Sequence, residues 1–456
     1  MAVGQRKISE SQVVKIWQHQ LLDITKLATE DGESIEIVYP GRINDDQGAD
    51  FRDAVIATSH GLVKGDIEIH VKSGDWRLHR HHCNPDYNRV ILHVVMWHDS
   101  GTATELQNGR NTPILALHKY LKIPVSQWSD GECFSANPNM PCLKAAKHLS
   151  AGIMAEFLDS AGEERFLAKA ARFQVDIAQI GASQCLYQGI MGALGYSKNK
   201  LPCLELAHRL PLQVLESMTQ DKISDEECLV RQQALLLGTA GLLPSQCQDE
   251  HMKNKPDDKW VDKLERFWAS SSQTEAISRD AWQLFKVRPS NFPTRRIVAM
   301  SYLLCRYQER GLFEAVVRMI KKMPLDKGYQ QLEEGLVVIT TGYWARHLDF
   351  GVGSGVRNQT LLGRRRAADT AVNVLLPFAL AWGRLSSQPE LEKKAFGLYR
   401  GYPKLVVNSI ERHMREQLGL SSNLVNSARR QQGLIHIYNT LCTQGKCHCC
   451  TLGGVA

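Results

Sequence analysis

The stretch GDIEIHVK, residues 65–72, alternates strictly: Asp66, Glu68, His70 and Lys72 take every second position, with Ile67, Ile69 and Val71 between them. Side chains of a β-strand alternate faces with period two. The stretch therefore predicts a strand with one apolar face and one face carrying two acids, an imidazole and an ammonium. Same-face neighbours stand about 7 Å apart along such a strand. The row alone leaves two readings open: the solvated side of an ordinary antiparallel strand, or part of a metal-dependent site. Acids and a histidine at three successive same-face positions favour the second, because Thr, Lys and Arg serve a merely wet surface as well.

Periodicity divides the rest of the chain. Before residue 125 one helical pattern, Ser9 to Leu27, is followed by strand patterns in SIEIVYP and at 54–58, 62–72, 90–97 and 114–117. The loop GRINDDQGADF lies between them. Residues 123–145 hold three prolines and little periodicity. Beyond them helical spacing dominates, as in DEECLVRQQALLLGTAGLL and TAVNVLLPFALAWGRL. The expected fold class is α+β: a mixed α/β sheet domain (1–125), a linker (126–145), a mostly α-helical domain (146–440) and a Cys-rich tail (441–456).

With 456 residues, 43% hydrophobic and 23% charged, the composition is that of a globular chain. No apolar run is long enough to cross a bilayer, and the first residues lack a signal-peptide pattern, so the expectation is a cytoplasmic protein without a membrane partner. The formal charge of +7 is compatible with nucleic acid and too mild to require it. Twelve cysteines without an export signal do not point to a disulfide scaffold. Oligomeric state is not legible.

A divalent ion takes oxygen ligands at about 2–2.5 Å, so carboxylates must converge on it from more than one element. Asp50, at the end of the GRINDDQGADF loop, is the candidate second carboxylate beside Glu68, with Asp66 as a third. His70 is placed to orient a water or to bind the ion, and Lys72 to offset charge. The next loop, DWRLHRHHCNPDYN, adds His79, His81 and His82 with Arg77 and Arg80. Its spacing matches no zinc signature, and its residues are candidates for phosphate contact. His93, inside VILHVV, reads as a core histidine.

The chain ends GLIHIYNTLCTQGKCHCCTLGGVA, where Cys442, Cys447 and Cys450 form C-x4-C-x2-C. Four exposed thiols at a chain end oxidise unless ligated. Zinc and an iron–sulfur cluster each want four such ligands, and Cys449, Cys142 or Cys133 is available as the fourth. Two basic segments complete the set. VRPSNFPTRRI carries Arg295 and Arg296, and GRRRAADT carries Arg364, Arg365 and Arg366 at expected helix starts, where backbone N–H groups and arginines can hold a phosphate. The bland alternative is a pair of solvated helix starts.

Ala49-Asp50 with Glu68-Ile69-His70 resembles the PD-(D/E)xK phosphodiesterase superfamily, in which an acid on one strand and acid-x-Lys on the next hold Mg²⁺ and the attacking water. Ala49 stands where that pattern has proline and His70 where it has lysine; Lys72 or Lys64 is the candidate replacement. The resemblance implies a restriction-endonuclease-like sheet, an Mg²⁺ or Mn²⁺ cofactor and nucleic acid as partner. It also implies a tail centre of zinc or [4Fe–4S], since some nucleases of that superfamily carry a cluster held by one distant cysteine and three near the C-terminus. Together YPGRINDDQGADF, GDIEIHVKSGDWRLHRHHCNPDYNRVILHVV, ALGYSKNKLP, LLLGTAGLLP, VRPSNFPTRRI and the tail resemble a bacterial domain family of unknown function over nearly the whole chain. The expected function is metal-dependent phosphodiester hydrolysis of nucleic acid. The alternatives are a non-catalytic nucleic-acid-binding or scaffold protein and a hydrolase of small phosphorylated or acylated substrates.

Overall fold

The computed structural model describes residues 8–122, 141–218, 223–247, 258–271, 275–355 and 360–452. Cys133 and most of the expected linker lie outside the described residues. The fold is α+β, a mixed sheet followed by a mostly helical region. The chain forms two compact units: residues 1–162 with 407–426 and 430–456, and residues 163–406 with 427–429. The tail and the helix Ser409–Leu418 thus belong with the sheet rather than with the helical region. Among the described residues no helix is long and apolar enough to cross a membrane.

The first unit begins with α1, Glu10–Gln18, whose start is fixed by the Gln12 side chain accepting the Ser9 N–H at 2.8 Å. The helical spacing continues to Leu27, but the helix stops at Gln18. Gln20 has φ +49°, and Asp23 caps a separate 3-10 turn at Ile24–Lys26. Strands β1 (Glu36–Tyr39), β2 (Arg42–Ile43), β3 (Phe51–Thr58), β4 (Gly61–Lys72) and β5 (Val90–Trp97) follow. After the small hairpin of β6 (Thr104–Glu105) and β7 (Asn111–Thr112) comes β8 (Ile114–Ala116).

The main sheet runs β1-β3-β4-β5-β8, with β2 also paired to β3. Pairs β1/β3 and β3/β4 are antiparallel; β4/β5 and β5/β8 are parallel. On one face Ile67 and Ile69 of β4 meet Val13, Ile16 and Trp17 of α1 in a dry core. Between Phe51 and Ala54 strand β3 carries one residue more than β4 opposite it. Asp53 in this bulge has φ +61°, and its N–H donates to Asp66 Oδ1 at 3.1 Å.

The polar face of β4 is not the wet side of a sheet. Asp66, Glu68 and His70 are 5%, 6% and 1% exposed. The segment after β4 covers them: the short helix α2 (Asp75–Leu78) and two 3-10 turns at His81–Cys83 and Pro85–Tyr87. Trp76 anchors this cover, 1% exposed, with its indole N–H donating to Glu105 O at 3.0 Å.

In the second unit the helices 182–194, 225–239, 293–306, 376–385 and 389–400 enclose one large apolar core that includes Leu186, Leu236, Met300, Leu375 and Phe378. Cys228 and Cys305 are paired there as a disulfide, although twelve cysteines without an export signal do not point to a disulfide scaffold.

Gly65 sits where β4 meets the start of β5. A Cβ there would stand 2.3 Å from Ile91 Cγ2 and 2.4 Å from Arg89 O. Gly65→Ala is expected to lower unfolding stability by about 1–3 kcal/mol, read as a fall in the urea midpoint. An unchanged midpoint would contradict this close approach.

Candidate active site

Two carboxylates from different strands are locked together by the backbone. Asp50, immediately before β3, accepts the Ile69 N–H at 3.0 Å through Oδ2. Glu68 accepts the Asp50 N–H at 3.1 Å through Oε2. Each acid therefore holds the strand that carries the other, which fixes both rotamers. Burial is the main force on both. It raises the Asp50 carboxyl to about 7, helped by repulsion from Glu68, and the Glu68 carboxyl to about 8. The strongest electrostatic partners of this pair are each other, Glu10 and the His81 imidazole, none of which is a fixed cation. Among the described residues no lysine or arginine pairs with either carboxylate, which leaves the centre short of positive charge.

Imidazoles close the other side. Glu68 Oε1 stands 3.2 Å from His81 Nε2 and 3.6 Å from His70 Nε2. His70 Nε2 is 3.1 Å from His79 Nδ1, and His70 Nδ1 is 2.9 Å from His93 Nε2. His93 Nδ1 in turn reaches Thr104 Oγ1 at 2.8 Å. Burial and neighbouring imidazoles push His70 down to about 2 and His93 to about 3, so both rings are neutral. His81 lies against Tyr87, ring centroids 3.9 Å apart, and across Trp76 at 5.3 Å.

Three contributors escaped the sequence reading. Glu10, in the first turn of α1, acts electrostatically on Asp50, Glu68 and His81. An acid there reads simply as a complement to the helix dipole. His93 belongs to the histidine chain as well as to the core, and Tyr87 forms a wall; neither has a local signal.

Other candidates fall elsewhere. Asp66 faces away from the acid pair: its Oδ1 accepts the Asp53 N–H and lies 3.5 Å from Arg89 Nη2, so it fastens the β3 bulge. Lys72 is exposed, with Nζ 3.5 Å from Asp99 Oδ2, because the strand ends there and turns into α2. It supplies no charge at Glu68. Lys64 donates to Gln444 Oε1 at 2.7 Å. Arg77 and Arg80 are exposed on the covering segment, Arg77 lying 3.7 Å from Glu105.

The basic helix starts divide. Arg295 is fully buried and donates to the carbonyls of Trp344, His347 and Thr360. Arg296, 7% exposed, donates to Leu361 O, Asn291 Oδ1 and the Tyr196 hydroxyl. These two are internal struts, which corrects their reading as phosphate contacts: Pro293–Arg306 is a core helix, and its first turn is not at the surface. Arg366 stacks on Tyr196, 3.2 Å from the ring centroid. Arg364 and Arg365 are exposed, Arg364 pairing with Glu334 at 2.8 Å.

The tail thiols converge on a residue some three hundred positions upstream. Cys142 lies on α3 (Pro141–His148), the helix preceding α4 (Ala151–Ile180). Gln417 hydrogen-bonds both Cys142, at 3.4 Å, and Cys442. Cys142, Cys442 and Cys450 pack against the same apolar cluster. Burial raises the thiols of Cys442, Cys447 and Cys142, and each is raised further by other members of the set, Cys450 included. Cys449 is exposed and takes no part in these couplings. Gly445, at φ +67°, turns the chain between the first two tail thiols.

A family model, "Protein of unknown function (DUF2851)", matches residues 10–405, and the chain belongs to that family. No curated protein and no solved structure matches it.

Removing the Arg295 guanidinium takes the donor from three carbonyls, that of Trp344 buried and those of His347 and Thr360 part-buried. Arg295→Ala is expected to cost about 3 kcal/mol or more of unfolding free energy, whereas Arg365→Ala stays within about 0.5 kcal/mol. Equal effects in chemical denaturation would contradict the division into internal and surface arginines.

Proposed function

We propose that this DUF2851 protein is a metal-dependent phosphodiester hydrolase acting on nucleic acid, with its centre at Asp50 and Glu68. The observation that carries the reading is the reciprocal clasp of the buried Glu68 and the half-buried Asp50 from different elements, with no fixed cation paired to either among the described residues. A divalent ion meets the donor set: the carboxylates provide oxygen, the neutral imidazoles provide nitrogen, and His81 Nε2 is a buried ring nitrogen that makes no hydrogen bond. The ion, Mg²⁺ or Mn²⁺, would supply Lewis acidity and lower the pKa of water.

The protein's own groups do the positioning. Asp50 and Glu68 would hold the ion, and the His93–Thr104 chain fixes the His70 ring beside Glu68. Arg77 and Arg80 sit exposed on the cover of the site, where guanidinium groups pair with backbone phosphate. In the reaction a water oxygen attacks phosphorus, the bond to the leaving oxygen breaks, and the proton finishes on the leaving oxygen. Because Lys72 is turned to Asp99, the charge that a lysine would provide must come from the ion and these arginines.

The four-thiol set of Cys142, Cys442, Cys447 and Cys450 fits a second, structural cofactor. Zinc with four thiolates at about 2.3 Å places its sulfurs about 3.8 Å apart. A [4Fe–4S] cluster takes the same four thiolates, one from α3 and three from the tail, and is the cofactor proposed here.

Glu68→Gln preserves shape and the Asp50 contact and removes the charge. It is expected to lower Mn²⁺- or Mg²⁺-dependent cleavage of DNA and RNA oligonucleotides by about a hundredfold or more with a thermal midpoint no lower than that of the wild type. Full activity in the variant, or binding without cleavage by the wild type under every divalent ion, would overturn the enzymatic reading. For the tail, anaerobically purified protein is expected to contain four iron and four sulfide per chain with broad visible absorbance. Cys142→Ser should lose them and Cys449→Ser keep them. Zinc in place of iron would refute the cluster.

A further inference from the structure

We infer that His70, His79, His81 and Glu68 form one nitrogen-rich ligand set that selects a first-row transition ion over Mg²⁺. This rests on the reading of the Glu68 site as a metal centre, and it changes what kind of centre that is. Oxygen donors alone suit Mg²⁺, a hard ion that dehydrates reluctantly; imidazole suits the first-row ions Fe, Ni, Cu and Zn, and Mn²⁺ stands at the weak-binding end of that series.

The geometry is specific. The ligand atoms of His70, His79 and His81 all lie within 4.8 Å of one another, and Glu68 Oε1 lies 3.2 Å and 3.6 Å from two of them. Three imidazoles and one carboxylate oxygen thus face a common point. His81 Nε2 is buried there, 3.2 Å from Glu68 Oε1 but not aligned for a hydrogen bond to it. The orienting shell is also present. When His70 Nδ1–H donates to His93 Nε2, and His93 Nδ1–H donates to Thr104 Oγ1, the His70 Nε2 lone pair is free to point at the centre. A metal-bound histidine ordinarily has its second nitrogen tied in this way.

The sequence places these ligands on two kinds of element. His70 and Glu68 share one face of β4, and His79 and His81 return over that face on the covering segment, which is pinned by Trp76. Arg80, between the two histidines, adopts the left-handed conformation at φ +58° that reverses the chain. Asp50, clasped to Glu68, acts electrostatically on His81.

Mn²⁺ is the probe, since thiolates of the tail compete poorly for it. Free Mn²⁺ is followed by its electron paramagnetic resonance signal during titration of the wild type, then displaced with Mg²⁺. The expected result is one Mn²⁺ per chain with an affinity at least about tenfold above that for Mg²⁺. His79 is exposed, so His79→Ala should fold normally and weaken Mn²⁺ at least about tenfold. His60→Ala, in the β3–β4 turn, should leave binding unchanged. Equal affinity for the two ions, or undiminished Mn²⁺ binding by His79→Ala, would overturn the inference. The oligonucleotide assay separates the two claims. Tight Mn²⁺ binding without cleavage sinks the hydrolase and leaves this site standing; Mg²⁺-supported cleavage with no preference for Mn²⁺ does the reverse.

Discussion

The exchange of two backbone N–H bonds between Asp50 and Glu68 is the constraint around which the first unit is arranged. A carboxylate taken out of water loses several kcal/mol of hydration. One charge-assisted bond from a backbone amide returns only part of that. Their pKa values of about 7 and 8 express the remainder. The fold nevertheless buries Glu68, leaves Asp50 half-buried and sets the neutral His70 ring beside Glu68. Those features cost stability in the free protein and would become favourable with a cation bound among the donors, as proposed.

Supporting features follow from that requirement. The β3 bulge at Asp53 offsets the strand, and Asp66 and Arg89 hold it. Gly65 lets β5 begin close against β4. Residues near the C-terminus join the same unit: the Tyr438 hydroxyl donates to Asp53 Oδ2 at 2.8 Å, and the turn at Gly445 packs on Val38, Val55 and Leu62. A four-thiolate centre would pin α3 and the tail beside the β1–β3 edge of this sheet, tying together segments that loop closure otherwise holds apart at an entropic cost.

Much of this was legible. Strict alternation at 65–72 predicts β4 and its polar row, and the change of period near 146 predicts the helical region. The pairing of Asp50 with Glu68 follows from the need of a metal for ligands on more than one element. What remained hidden depends on tertiary context. Whether the polar row is wet or buried is decided by residues 73–89 folding over it, and no local pattern states that. Asp66 and Lys72 share the row with Glu68 and His70, yet the bulge draws one to Arg89 and the strand end releases the other to Asp99. Arg295 and Arg296 look like surface cations until the helix that bears them proves to be core. Glu10 belongs to the site only because α1 crosses β4.

The account stands or falls on a cation at the meeting point of Glu68 with the three histidines. Crystals grown in Mn²⁺ and measured at the manganese absorption edge test it most directly. The account predicts an anomalous peak within about 2.0–2.5 Å of Glu68 Oε1, His70 Nε2, His79 Nδ1 and His81 Nε2. Ordered side chains with no peak among them would contradict it.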